Sequence, residues 1–239
     1  MGAAYFDCTC GISGNMVTGA FLDMGMPVEY LEDRIIRVLP EWSFGLEIET
    51  LSLAAGTATY FNTTVSEETE KKLGVRTSGE VIEMILGSGL EEPIIKQTSR
   101  IFESMVKAKA RAHGCSESSL KYKGESLVDT LIDIIGAVSG LEYFGIGSVI
   151  STPIQVGSGK IRLWKGDMDI PAPMTRILLE GAPYYSTGMT GEMATPTGAA
   201  IITNIAERFG FERELSVNRA GYGAATVDSG PSGILKVYL

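Results

Sequence analysis

The run VDTLIDIIGAVSGLEYF, residues 128–144, limits the fold more than any other stretch of the chain. Its only charged residues are Asp129, Asp133 and Glu142, and a helix apolar on nearly every side belongs inside a core. With 239 residues, 44% of them hydrophobic, the chain is long enough to build that core as one large domain or two small ones. Asp129 and Asp133 lie four apart and share one helix face. Buried carboxylates need partners, because removing the partner of a buried charge is strongly destabilising. Lys109, Lys121 and Lys123 are the candidate partners.

Around this helix the pattern mixes strands and helices without strict alternation. A short strand is expected over Ala3–Asp7, then a tight turn and a helix from about Gly14 to Met24, and Val28–Leu39 resumes a helical period. Residues 43–65 alternate apolar and polar positions and predict a hairpin. The charged stretch SEETEKKLGVRTSG, around residues 66–78, lacks an apolar period and predicts a mobile loop. Helices follow at about 78–88 and 93–113, the second closed by Gly114. Short strands return after Gly145, with a hairpin turning at Gly157–Gly159. Pro173 sits in the first turn of a short helix, and Thr195 and Pro196 are N-cap and first residue of another. The end of the chain reads as two strands about a glycine-rich turn. The fold class is α+β, divided into an N-terminal α/β domain (1–145) containing the buried helix (126–144) and a smaller α+β domain (146–239).

Composition excludes several functions. A net charge of −9 argues against nucleic acid and anionic membrane as partners. The sequence has no signal-peptide pattern and no apolar run of membrane-spanning length, so a cytoplasmic location is expected. Three cysteines do not suggest a disulfide framework. A serine-hydrolase triad finds no support, as there is no G-x-S-x-G and His113 is the only histidine.

The stretch FDCTCGISGNM, residues 6–16, places Gly11, Ser13, Gly14 and Asn15 between a strand and a helix. Backbone N–H groups and the helix dipole can hold a phosphate at such a turn; a plain structural turn is the alternative. Cys8 and Cys10, two apart, would share a strand face and could hold a soft metal, or could simply be two small buried residues. GMTGEMATPT adds a second helix N-terminus, with Thr195, Thr197 and Gly198 as further candidate binding residues.

These strings, with DTLIDIIGAVSGLEYFGI, PIQVGSGKI, IPAPMTRILLEGAPYYSTGMTGEMATPTGAA and GYGAATVD, occur in an order that resembles the N-terminal part of the LarC family of nickel-insertion proteins, from near the first residue to near the last. The resemblance implies insertion of nickel into a pyridinium-3,5-bisthiocarboxylate mononucleotide, yielding the nickel-pincer cofactor of lactate racemase. It also implies a CTP-dependent nickel chelatase of the lyase class, with nickel and CTP as cofactors and the CTP site in a C-terminal domain. The present chain stops at Leu239, so CTP is expected only with a separate C-terminal subunit; the other expected partners are the mononucleotide and a further copy of the chain. Candidate catalytic residues are Asp7, Asp129 and Asp133; candidate metal ligands are Cys8 and His113.

Departures from the family pattern share one chemical direction. Asn15 replaces an aspartate, Lys109 a glutamate, Lys121 and Lys123 histidines, and Gly124 a glutamate. A lysine ammonium has no lone pair to give and repels a divalent cation. The alternative function is therefore a non-catalytic relative that has lost the metal site and binds a nucleotide-like ligand or a partner protein.

Overall fold

A computed structural model of the chain describes residues 2–40, 43–53, 56–66, 69, 74–163, 166–212, 217–225 and 233–239, the side chains of 162 and 163 excepted. From the N-terminus, β1 (Gly2–Asp7) leads through a turn into α1 (Gly14–Asp23) and α2 (Val28–Val38). A hairpin of β2 (Phe44–Leu53) and β3 (Gly56–Val65) follows, then β4 (Val75–Thr77), α3 (Ser78–Leu86), α4 (Glu92–His113), β5 (Lys121–Lys123) and α5 (Gly124–Tyr143). Beyond α5 come β6 (Ile146–Ser151), β7 (Ile154–Gln155), β8 (Gly157–Ser158), β9 (Lys160–Leu163), β10 (Gly166–Asp169) and α6 (Pro173–Leu178). The last elements are β11 (Tyr184–Tyr185), β12 (Gly191–Glu192), α7 (Pro196–Ile205), β13 (Arg208–Phe209), β14 (Ala220–Ala224) and β15 (Ile234–Tyr238).

Seven strands form one mixed sheet in the order β13-β6-β1-β15-β14-β3-β2. β1 runs parallel to β6 and antiparallel to β15, with Phe6 opposite Ser151 on one side and Val237 on the other. The class is α+β, as the mixed pattern implied. This sheet takes β1, β2 and β3 from before residue 145 and its other strands from after it, so it crosses the expected domain boundary.

Helix α1 lies across β3, β14 and β15, and α5 packs against α1 while also touching β3 and β6. Leu127, Val128, Leu131, Ile132, Ile134 and Ile135 of α5 are all buried, and each such side chain contributes about 1.5–3 kcal/mol on leaving water. Small residues bring the helices close: a Cβ on Gly136 would lie 2.3 Å from Thr18 Oγ1, and one on Gly140 would lie 2.1 Å from a ring carbon of Phe21.

Two local expectations change. Gly157 is not the corner of a hairpin: β8 pairs with β12 and β9 with β10. A Cβ on Gly157, at φ +81°, would fall 1.9 Å from the Gly191 carbonyl oxygen, so glycine there serves a close crossing of two segments. Within the loop expected at 66–78, Thr69 is buried, Val75–Thr77 pairs with Lys121–Lys123, and a capping box between Thr77 and Glu80 opens α3. Residues 67, 68 and 70–73 of that loop, and 226–232 of the expected C-terminal turn, lie outside the described residues.

Candidate functional site

Three segments meet at the C-terminal ends of the parallel strands β1 and β6. The backbone joins the turn after β1 to the segment after β6, through Thr152 N–H to Phe6 O (3.0 Å) and Gln155 N–H to Cys8 O (3.2 Å). On its other side the turn meets the segment leading into α7, where Ile12 N–H donates to Met193 O (2.8 Å) and Thr195 N–H to Ile12 O (3.0 Å). The contact is tight enough that a Cβ on Gly11, at φ +94°, would sit 2.0 Å from Met193 O, and one on Gly198 would sit 2.3 Å from Ile12 O. Gly11, Ser13, Gly14, Asn15, Thr195, Thr197 and Gly198, far apart in sequence, are thereby brought to one place.

The group at the α1 N-terminus is a carboxyl of the protein itself. Asp133 reaches it from α5, close enough that a Cβ on Gly14 would lie 2.3 Å from Asp133 Oδ2, and it accepts a hydrogen bond from the Asn15 backbone. A carboxylate suits a helix N-terminus for the reason a phosphate does. Gly11, Ile12, Ser13 and Gly14 are buried, and Ser13 caps the helix by accepting from Met16 N–H. Burial, reinforced by Asp129, pushes the Asp133 pKa well above the usual carboxylate range against the Asn15 hydrogen bond; Asp133 Oδ1 has no hydrogen-bond partner.

One turn earlier on α5, Asp129 accepts from Thr63 Oγ1 at 2.9 Å. Burial raises its pKa, with Thr63 acting in the opposite direction. A threonine and a backbone amide thus partner the two aspartates where lysines were expected. Lys121 and Lys123 are exposed on β5, because the strand turns them outward and its middle residue, Tyr122, inward. Lys109 lies over the Tyr122 ring, 4.4 Å from its centroid.

Asp129, Lys109, Tyr122 and Thr197 line a cavity of about 240 Å³, together with Phe102, Met105 and Met174. Burial pulls the Lys109 pKa down and pushes the Tyr122 phenol up to about 12. Lys109 entered the sequence reading only as a candidate partner of the aspartates and a substituted family position, and Tyr122 escaped it, although the alternation in KYK signals that Tyr122 faces the protein.

The remaining candidates stand elsewhere. Asp7 closes β1, where it accepts from Thr9 and pairs with Lys236 at 3.6 Å. β1 ends before the cysteines, so Cys8 and Cys10 fall in a turn: Cys8 is buried and Cys10 only partly so. The Cys8 thiol faces Ser151 Oγ at 3.4 Å, and burial raises its pKa to about 12. His113 is exposed in the last turn of α4, one turn beyond Lys109. Among the described residues, no three His, Cys, Asp or Glu side chains gather in a group that could hold a metal ion.

The family model described as nickel insertion protein matches residues 4–239. Among curated proteins assigned nickel insertion by name, one from Geobacter sulfurreducens is 36% identical over 94% of this chain and 57% of its own length. Another, from Geotalea daltonii, is 34% identical over 95% of this chain and 58% of its own. A third, from Acaryochloris marina, is 30% identical over 99% of this chain and 59% of its own. The chain therefore spans less than two thirds of the length of these relatives. No solved structure matches it. With a match running from the fourth residue to the last and covering the segments that meet at this site, the chain belongs to the nickel insertion protein family.

Proposed function

We propose that this chain takes part in nickel insertion as the portion that receives the organic ligand, a pyridinium mononucleotide that becomes the nickel-pincer cofactor of lactate racemase. The observation that carries the reading is the cavity lined by Asp129, Lys109, Tyr122 and Thr197. It sets a carboxylate, an ammonium and an aromatic ring on the walls of one space, as suits a flat ligand carrying both signs of charge. Nickel is cargo here, and CTP use belongs with the part of the relatives' length that the present residues do not cover. The high Cys8 pKa and the exposed position of His113 support weak nickel binding by this chain alone, since a thiol must lose its proton to become a ligand.

The test is calorimetric titration of the chain with pyridinium-3,5-bisthiocarboxylate mononucleotide and, separately, with nickel. The mononucleotide binds and nickel binds weakly. Nickel–pincer absorbance then develops only when the C-terminal part of a relative and CTP are added. Failure of the mononucleotide to bind overturns the reading, and tight stoichiometric nickel binding overturns its division of labour.

A second reading, a non-catalytic relative binding a nucleotide-like ligand, is favoured by Lys109 in the cavity where the family pattern has a glutamate. Ligand binding without nickel transfer, with the C-terminal part and CTP present, would select it.

A further inference from the structure

A larger cavity, about 680 Å³, lies at the other end of β6, between α4, the C-terminal ends of α5 and α7, and the start of that strand. Ile94, Val138, Leu141, Ile146, Val149 and Ile205 make its walls mostly apolar, and Arg100, Glu142 and Glu207 stand exposed around it. An apolar floor inside a charged rim is the build of a protein contact surface. The rim is negative on its α5 and α7 side. Glu142 lies in the last turn of α5 and Glu207 just beyond α7, and neither helix has a basic residue in its last turn to meet its negative end. Glu142 has Arg34 at 3.2 Å; among the described residues Glu207 has the Ser148 hydroxyl at 2.6 Å, and Arg100, on the α4 wall, pairs with neither. The last residue of the chain stands beside this cavity. Leu239 and Arg219 exchange both backbone hydrogen bonds, at 2.8 and 3.1 Å. The Arg219 guanidinium lies over the Phe144 ring, 5.4 Å from its centroid, and Gly145, next in sequence, forms part of the cavity wall. Because β15 runs antiparallel to β1 and β1 parallel to β6, the chain leaves the sheet at the end where β6 begins.

We propose that this cavity is the seat of the C-terminal part of the family's longer members, which lays apolar side chains into the space and sets a lysine or arginine between Glu142 and Glu207. The relatives match this chain over only 57–58% of their own length, and a polypeptide continuing from Leu239 starts next to the residues that form the cavity wall. A cation arriving there meets two helix C-termini and two carboxylates at once. That favours a basic contact over a second copy of this chain, whose net charge is −9. The proposal rests on the family assignment and not on the 240 Å³ cavity, so failure of the mononucleotide to bind leaves it standing.

Thiol labelling tests it. Arg100→Cys places a probe on the exposed cavity wall, and Ile48→Cys places a control on β2, the far edge of the sheet; mass spectrometry separates both from the native cysteines. Each variant is made as the present chain and as the same chain extended past Leu239 by the C-terminal part of the Geotalea daltonii relative, with thermal melting to establish folding. Extension should slow labelling at position 100 at least about tenfold, as for a site reached only by local opening, and leave position 48 unchanged. The same part added as a separate polypeptide should give the same protection, increasing with its concentration. Ala206→Glu, which puts a carboxylate among the apolar walls, should return position 100 towards its rate in the unextended chain. Glu142→Gln with Glu207→Gln keeps the acceptors for Arg34 and Ser148 and should do so in part, an effect that shrinks at high salt. Equal labelling at position 100 with and without the C-terminal part, joined or separate, would overturn the proposal, as would protection at position 48 in its place. Protection of the unextended chain that rises with its own concentration would give the cavity to a second copy instead. Full protection retained by the double glutamine variant would remove the basic contact.

Discussion

Asp133 works against the stability of its own fold at neutral pH. Its carboxyl is buried, with one oxygen unpartnered and Asp129 one turn away. A group whose pKa rises on folding favours the folded state fully only below its unfolded value, and that contribution is lost as pH climbs through the folded value. The cost grows by about 1.4 kcal/mol for each pH unit between the two. Asp133→Asn keeps an acceptor for the Asn15 amide and removes the charge. It should therefore melt higher than the parent at pH 8, with the gap narrowing towards pH 4; a gap independent of pH would show that Asp133 is not the residue responsible. The sequence put Asp129 and Asp133 on one buried face, and the structure agrees. Their partners, Thr63 and the Asn15 backbone, were not legible because a hydroxyl and an amide from distant elements carry no charge pattern to announce them.

At the scale of elements, α1 and α5 meet along Gly14, Gly136 and Gly140. Phe21, which a Cβ on Gly140 would strike, is fully buried with its ring centroid 6.2 Å from that of Phe6 and 5.9 Å from that of Phe144, so it has little room to yield. Gly140→Ala should cost roughly 1–3 kcal/mol, read from the shift of a urea midpoint. Gly210→Ala, where nothing lies within 4 Å of the added carbon, serves as the control and should leave the midpoint nearly in place. Helices announced themselves well: α1, α4, α5 and the Thr195 cap of α7 follow from periodicity and capping residues. Glycines misled, because the same residue type marks a turn and a close crossing. Gly157 was assigned to a turn, while the Gly191 carbonyl opposite it was beyond the reach of local pattern. For the same reason the turn after β1 looked ready for a phosphate, and only α5 packed against it reveals that Asp133 occupies the helix end.

For the molecule as a whole, strand order matters more than strand content. β15 lies between β1 and β14, fourth of the seven strands, and Leu235 and Val237 are buried in the same core as Phe6 of β1. Removing residues 234–239 should abolish cooperative unfolding, seen as loss of a sigmoidal urea transition, because β1 and β14 each lose a neighbour and the sheet splits in two. A retained transition would show that the halves are stable separately. During synthesis, the segments from β1 to β14 leave the ribosome with a gap at the middle of their sheet. Until Tyr238 emerges, two strand edges flanking that gap stand open to other chains. A cell making this protein thus carries two open strand edges until β15 has been synthesised, and chaperone occupancy on ribosome-bound chains would fall once that strand is in place.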